Sequence, residues 1–97
     1  MIERIILFKL KDSATRDECA ALTAAALDGI DAIEELSVGL PADASSEKSW
    51  DLSLVIGVAN LSLLDTVLES DAFTAYLHGT MKDRCEVIKA WSFERLG

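Results

Sequence analysis

The sequence predicts an α+β fold in which two β-α-β units share one four-stranded antiparallel sheet. Three observations carry that expectation. Four short runs are rich in β-branched and aromatic residues, and two intervening segments have helical apolar spacing with capping residues at their starts. The length of 97 residues is room for a single domain.

Residues 2–10 place Ile2, Arg4, Ile6, Phe8 and Leu10 on one face and Glu3, Ile5, Leu7 and Lys9 on the other. The middle is apolar on both faces, which suits a strand covered on two sides. An Ala-rich stretch follows, where Thr15 and Glu18 have capping-box spacing and Asp17 and Glu18 suit a helix N-terminal dipole. Its predicted buried stripe is Cys19, Leu22, Ala26 and Ile30 with Ala25 beside it, and Asp28-Gly29 supplies a left-handed stop.

Residues 33–40 alternate Leu36, Val38 and Leu40 with Glu35, Ser37 and Gly39, a half-buried strand that Pro41 ends. The small polar stretch 42–49 is predicted to be a surface loop, long enough to cover a cavity mouth. In the third strand Leu52, Leu54, Ile56 and Val58 oppose Asp51, Ser53, Val55 and Gly57. Asn60 caps a helix carrying Leu61, Leu64 and Leu68, and Ser70-Asp71 restarts it through Ala72, Phe73, Tyr76 and Leu77 until Gly79. Residues 85–93 form the fourth strand, with Val87, Ile88, Ala90, Trp91 and Phe93.

The order strand, helix, strand, strand, helix, strand is the split βαβ pattern of ferredoxin-like folds. Two helices cover one face of such a sheet, so Ile5, Leu7 and Val55, with Ile88 and Ala90 in the last strand, are left facing outward. A second copy of the chain is the expected cover, with Glu3, Lys9 and Ser53 making that contact partly wet.

Seventeen acidic against nine basic residues give a net charge of -8, which repels nucleic acid and anionic membranes. Cys19 and Cys85 lack zinc or redox spacing, so reduced thiols and no metal or cofactor are expected. The opening apolar run is too short for a signal peptide or membrane span, and the chain reads as cytoplasmic.

Candidate chemistry is sparse. His78, the only histidine, is a candidate proton shuttle, but its place at a helix end is also explained by the dipole. Tyr76 is a possible acid or hydrogen-bond donor, or an amphipathic wall with its hydroxyl at the surface. Arg4 is the one charge on an apolar strand face, where it suits an anionic ligand, an acidic partner in the chain, or exposure at the strand end. Trp50 and Trp91 suit pocket walls or core packing. No phosphate loop, serine elbow, HExxH or EF-hand spacing occurs.

The opening Met1-Ile2-Glu3-Arg4-Ile5-Ile6-Leu7-Phe8-Lys9-Leu10-Lys11-Asp12, then Ser37-Val38-Gly39, a polar loop and Trp50-Asp51-Leu52, resembles the stress-responsive A/B barrel (Dabb) domains across essentially the whole chain. The resemblance implies a dimeric ferredoxin-like α/β barrel with two sheets packed face to face. It also implies a pocket between sheet and helices, where cyclase members of the family fold poly-β-ketones by acid/base catalysis. Those members carry a Tyr and then His-Pro-x-His in the second helix and a His at the start of the first strand; these places hold Val67, then Ser70, Asp71 and Phe73, and Arg4 here, so every imidazole is missing and the cyclase route is not expected. A ligand pocket of Arg4, Ile6, Phe8, Leu54, Ile56, Phe73 and Trp91 remains the expectation. The leading reading is a homodimer binding a small apolar or aromatic molecule. The alternatives are a cyclase- or lyase-like enzyme using Arg4 for an anion and Tyr76 or His78 as acid/base, and a structural stress-response protein whose pocket is filled by its own side chains.

Overall fold

The computed structural model describes every residue from Met1 to Gly97. Its sheet runs in the order β2-β3-β1-β4, with every neighbouring pair antiparallel. The strands are β1 (Ile2–Leu10), β2 (Glu35–Gly39), β3 (Leu52–Val58) and β4 (Cys85–Glu94). Placing β1 and β3 at the centre explains their long apolar runs, because both strands are paired on each side.

The helices α1 (Arg16–Leu27), α3 (Leu61–Glu69) and α4 (Asp71–Thr74) lie on one face, while α2 (Ala44–Ser49) belongs to the β2–β3 connection. The even-numbered residues of the central strands point toward the main helices. Ile6, Phe8, Leu54 and Ile56 are 0–2% exposed, and Cys19, Leu27, Leu64, Val67, Phe73 and Met81 close over them. Dispersion and loss of apolar surface from water hold this layer together, and no ligand-sized space remains inside it.

Local signals are partly overridden. Asp12, not Thr15, supplies the first side-chain cap, to a short 3-10 turn at Ser13–Thr15, and α1 then starts at Arg16. Thr15 instead donates to the Asp12 carbonyl. The buried line of α1 is Cys19, Thr23 and Leu27, while Ala25 is exposed and Leu22 half-buried. Asn60 and Ser70 cap α3 and α4 as their sequence positions suggest. Gly29 is the one residue with positive φ, at 84°, and it ends the α1 turn.

Three expectations change. The stretch 42–49 is not an open loop: Asp43 accepts from the Ser46 amide and starts the six-residue α2. Gly79 does not end the last helical segment, which widens into a π-helical stretch at Ala75–Met81 and tightens to a 3-10 turn at Lys82–Arg84. The last strand is one residue out of the expected register. Ile5 pairs with Trp91, and opposed residues in an antiparallel pair project to the same face, so Trp91 shares the helix-free face with Ile5. Ile88 and Ala90 consequently turn inward and pack on the core.

Candidate functional site

The helix-free face carries Ile5 and Leu7 from β1, Ser53 and Val55 from β3, and Val87, Trp91 and Phe93 from β4. Val87, Trp91 and Phe93 remain 39%, 46% and 56% exposed, far more than isolated packing residues require. The opposite edge is small over most of its length, because Ser37 and Gly39 of β2 are directed the same way as Val55 and Ser53, with Glu35 at its end held by Arg95.

At one corner of this face the β2–β3 connection folds back and encloses a cleft of about 330 Å³. Leu7 and Ser53 belong to its sheet side, Leu40, Pro41 and Trp50 to its walls, and Ser46 to its rim. The connection is anchored at its base by Asp51, whose side chain is fully buried. Nε and Nη2 of Arg16 each lie 2.7 Å from Oδ1 of Asp51, and the Leu10 amide donates to Oδ2 at 2.8 Å. Lys9 stands 3.6 Å from Oδ2, and Arg16 reaches on to Glu47 of α2 at 2.9 Å. Burial pushes the Asp51 carboxyl up, but the Leu10 amide, Arg16 and Lys9 together outweigh it and hold the group below its ordinary range.

At the other end of the sheet Arg95 donates to Glu3 at 2.8 Å and also to Glu35. Hydrogen bonding from Arg95 lowers both carboxyls and raises Arg95 itself.

The residues expected to form a pocket are placed differently. Ile6, Phe8, Leu54, Ile56 and Phe73 are mutual packing partners in the filled core, and Trp91 lies on the other side of the sheet. Tyr76 is 1% exposed rather than surface-reaching. Its ring packs edge-on to Phe8 at 6.3 Å, and its hydroxyl is 2.7 Å from Thr23 Oγ1. Thr23 donates its single hydroxyl hydrogen to the Cys19 carbonyl, so Tyr76 is the donor in that pair. His78 is exposed on the π-helical stretch. Arg4 meets Ser92 Oγ at 3.1 Å and has no carboxylate partner, and its Nε is buried without a hydrogen-bond acceptor. The three proposed acid/base or anion-binding groups therefore do not share one cavity lining.

Asp51 and Arg16 were not legible as a pair in the sequence, since 35 residues separate them and the Trp50-Asp51-Leu52 match says nothing of Arg16. The only hint was an acid opening an apolar strand. No three His, Cys, Asp or Glu side chains converge in a metal-binding cluster. No helix is long and apolar enough to cross a membrane.

A β2-β3-β1-β4 antiparallel sheet built from two β-α-β units, with its main helices on one face, defines a ferredoxin-like α+β domain. Within that class, the chain belongs to the stress responsive A/B barrel domain family, whose profile matches residues 2–95. It is similar to a Dabb family protein of ferredoxin-like fold from Mesorhizobium loti, at 12% identity and a TM-score of 0.83, covering 99% of this chain and 97% of that one. A dimeric ferredoxin-like protein of unknown function from Bacteroides fragilis is similar at 19% identity and a TM-score of 0.79, with 97% and 95% covered. The hydroxynitrile lyase of Passiflora edulis is similar at 11% identity and a TM-score of 0.76, with 95% and 90% covered. No curated protein matches the chain.

Proposed function

We propose that this domain works as a homodimer, with the helix-free faces of two sheets packed together into a barrel, and that it binds a small apolar or aromatic molecule. The observation that carries the dimer is the row Val87, Trp91 and Phe93 standing exposed beside Ile5, Leu7 and Val55. A single chain leaves this surface in water, where burying apolar area yields about 25 cal/mol per Å².

Shape suggests how the copies meet. Bulky residues line the β4 edge, whereas Ser37 and Gly39 leave the β2 edge shallow. A two-fold axis along the strands, passing near the Ile5–Val55 pair, sets each β4 edge over the partner's β2 edge and brings apolar centres together. The dimeric description of the Bacteroides fragilis neighbour supports this reading. Lyase or cyclase chemistry is the less favoured reading, because the Tyr76 hydroxyl is already engaged by Thr23 inside a packed core.

Sedimentation velocity at micromolar concentration tests the assembly. The expected result is twice the mass of one chain, falling to a single chain in Val55→Asp, which buries a charge at the centre of the contact. A wild-type protein that sediments as one folded chain refutes the reading.

A further inference from the structure

We infer that the cleft under the β2–β3 connection is a socket for the β4 edge of a second copy of this chain, with Lys89 of each copy lodged in the cleft of the other. This rests on the homodimer part of the proposed function and goes beyond it by naming the contact that fixes how the two copies are aligned.

Strand register places both halves of the contact. Gly39, Ser53, Leu7 and Lys89 form one row across the helix-free face, and Lys9 and Val87 begin the next. A two-fold axis along the strands keeps each row opposite itself and reverses its order. Lys89 of one copy therefore comes over Gly39 of the other, and Leu7 over Ser53. Val87 comes over the connection itself, where Pro41 and Trp50 wall the cleft.

Space fits this arrangement. The cleft holds about 330 Å³, and its floor is bare at Gly39, where a Cβ would lie 2.5 Å from Ser53 Oγ. A hollow on a face that another sheet covers is either filled by that sheet or left as a void, which costs stability. The hollow keeps its shape in the single chain: Asp43 caps α2, the Trp50 amide donates to the Ser46 carbonyl at 2.9 Å, and Arg16 ties Glu47 to Asp51.

Charge identifies what fills it. Lys89 is exposed and meets no carboxylate of its own chain, unlike Lys9, which reaches Asp51. Covering an unpaired ammonium with a second sheet is costly, so Lys89 needs an acid on the other copy. Its methylenes suit the Leu40, Pro41 and Trp50 walls, with the ammonium carried to the rim. Asp43 is occupied by Ser46, and Asp51 by Arg16, Lys9 and the Leu10 amide. Glu47, next to Ser46 of the rim, gives only Oε1 to Arg16, and its side chain is 57% exposed. Glu47 is thus the acid left free to receive Lys89.

Dimer dissociation constants from fluorescence-detected sedimentation, across nanomolar to micromolar chain concentrations, provide the test. Lys89→Glu and Leu40→Lys change positions that are exposed on the single chain, so both variants should fold. Each alone is expected to weaken the dimer about tenfold, by setting like charges against each other in the socket. Lys89→Glu/Leu40→Lys restores opposite charges and should return to within about threefold of the wild type. Lys82→Glu, an equal charge change on the exposed 3-10 turn, should leave the constant unchanged. If β4 instead lay over the partner's β4, Leu40 and Lys89 would be about 14 Å apart, three strand spacings, and their effects would simply multiply. Independent effects, or a Lys89→Glu dimer as tight as the wild type, refute the socket and leave the dimer standing. A wild type that sediments as one folded chain at every concentration refutes the dimer itself.

Discussion

Arg16, the first residue of α1, places two guanidinium nitrogens 2.7 Å from one carboxylate oxygen of Asp51, the residue that leads into β3. This pair joins the helix layer to the sheet and, through Glu47, to the connection that forms the cleft. Asp51 also accepts the Leu10 amide, so its carboxylate terminates β1 as well as pinning α1.

Removing one partner of such a pair leaves the other desolvated. Asp51→Ala is therefore expected to cost about 3 kcal/mol, since it orphans both the Leu10 amide and part of the Arg16 charge. Asp51→Asn keeps an acceptor for the amide and should cost less. Arg16→Lys should lie between wild type and Asp51→Ala, because a single ammonium cannot reproduce the two guanidinium contacts. Urea unfolding followed by circular dichroism reads all three. Equal stability of Asp51→Ala and wild type would mean that the pair is inert.

The same carboxylate gives the fold a predictable acid limb. The Asp51 carboxyl is lower in the folded state than its ordinary 3.8, so its contribution is complete above that pH and is lost as pH falls through the depressed value. Glu3 and Glu35, lowered by hydrogen bonds from Arg95, act in the same sense starting from 4.5. Those two are at the surface and screened by salt, so Asp51 should dominate. Urea midpoints measured from pH 5 down to pH 2.5 should fall, and Asp51→Asn should flatten that fall, while Glu35→Gln leaves it nearly unchanged. An undiminished slope in Asp51→Asn would assign the acid limb elsewhere.

How legible these features were depended on the range of the interactions that fix them. Alternation alone identified the inward face of β1, because Ile6, Phe8 and Leu10 differ in polarity from Glu3 and Lys9. In β4, Val87, Ile88, Ala90, Trp91 and Phe93 make both faces apolar, so the face of Trp91 was settled only by pairing with Ile5, next to a register shift at Lys9/Leu10. Asn60 and Ser70 were readable as caps because a cap is a local bond. The cleft was not readable, because it needs Leu7 and Ser53 from two strands under a connection positioned by the distant Arg16.

The two cysteines supply a check on the packing of the helix layer. Cys19 is 0% and Cys85 8% exposed, both as free thiols. Burial, with a smaller contribution from Cys19, pushes the Cys85 thiol up to about 11. Since the thiolate is the reactive form, 5,5′-dithiobis(2-nitrobenzoate) at pH 8 should label neither cysteine on the folded chain within minutes, and both at once after addition of guanidinium. Prompt native-state labelling of Cys85 would show that the β4 start opens locally.

Tyr76 permits a sharper test, because it is the chain's only tyrosine and its phenolate absorbance needs no deconvolution. Burial raises its ionisation well above the ordinary 10.0, and the bond its hydroxyl donates to Thr23 would be lost on ionisation, because Thr23's own hydrogen is committed to the Cys19 carbonyl. A group whose folded value is raised stabilises the fold below its unfolded value and loses that contribution as pH climbs toward the folded one. On alkaline titration, the 295 nm absorbance should stay flat through pH 10 and rise only together with loss of the circular dichroism signal. Thr23→Val removes the acceptor of the Tyr76 hydroxyl and keeps the side-chain shape, so it should cost about 1 kcal/mol and bring alkaline unfolding to lower pH. In Tyr76→Phe, the Thr23 hydroxyl retains the Cys19 carbonyl as acceptor, and the loss should be no larger than in Thr23→Val. A phenolate signal that titrates near pH 10 on the folded protein would mean that water reaches Tyr76, and that the layer between helices and sheet is open rather than packed.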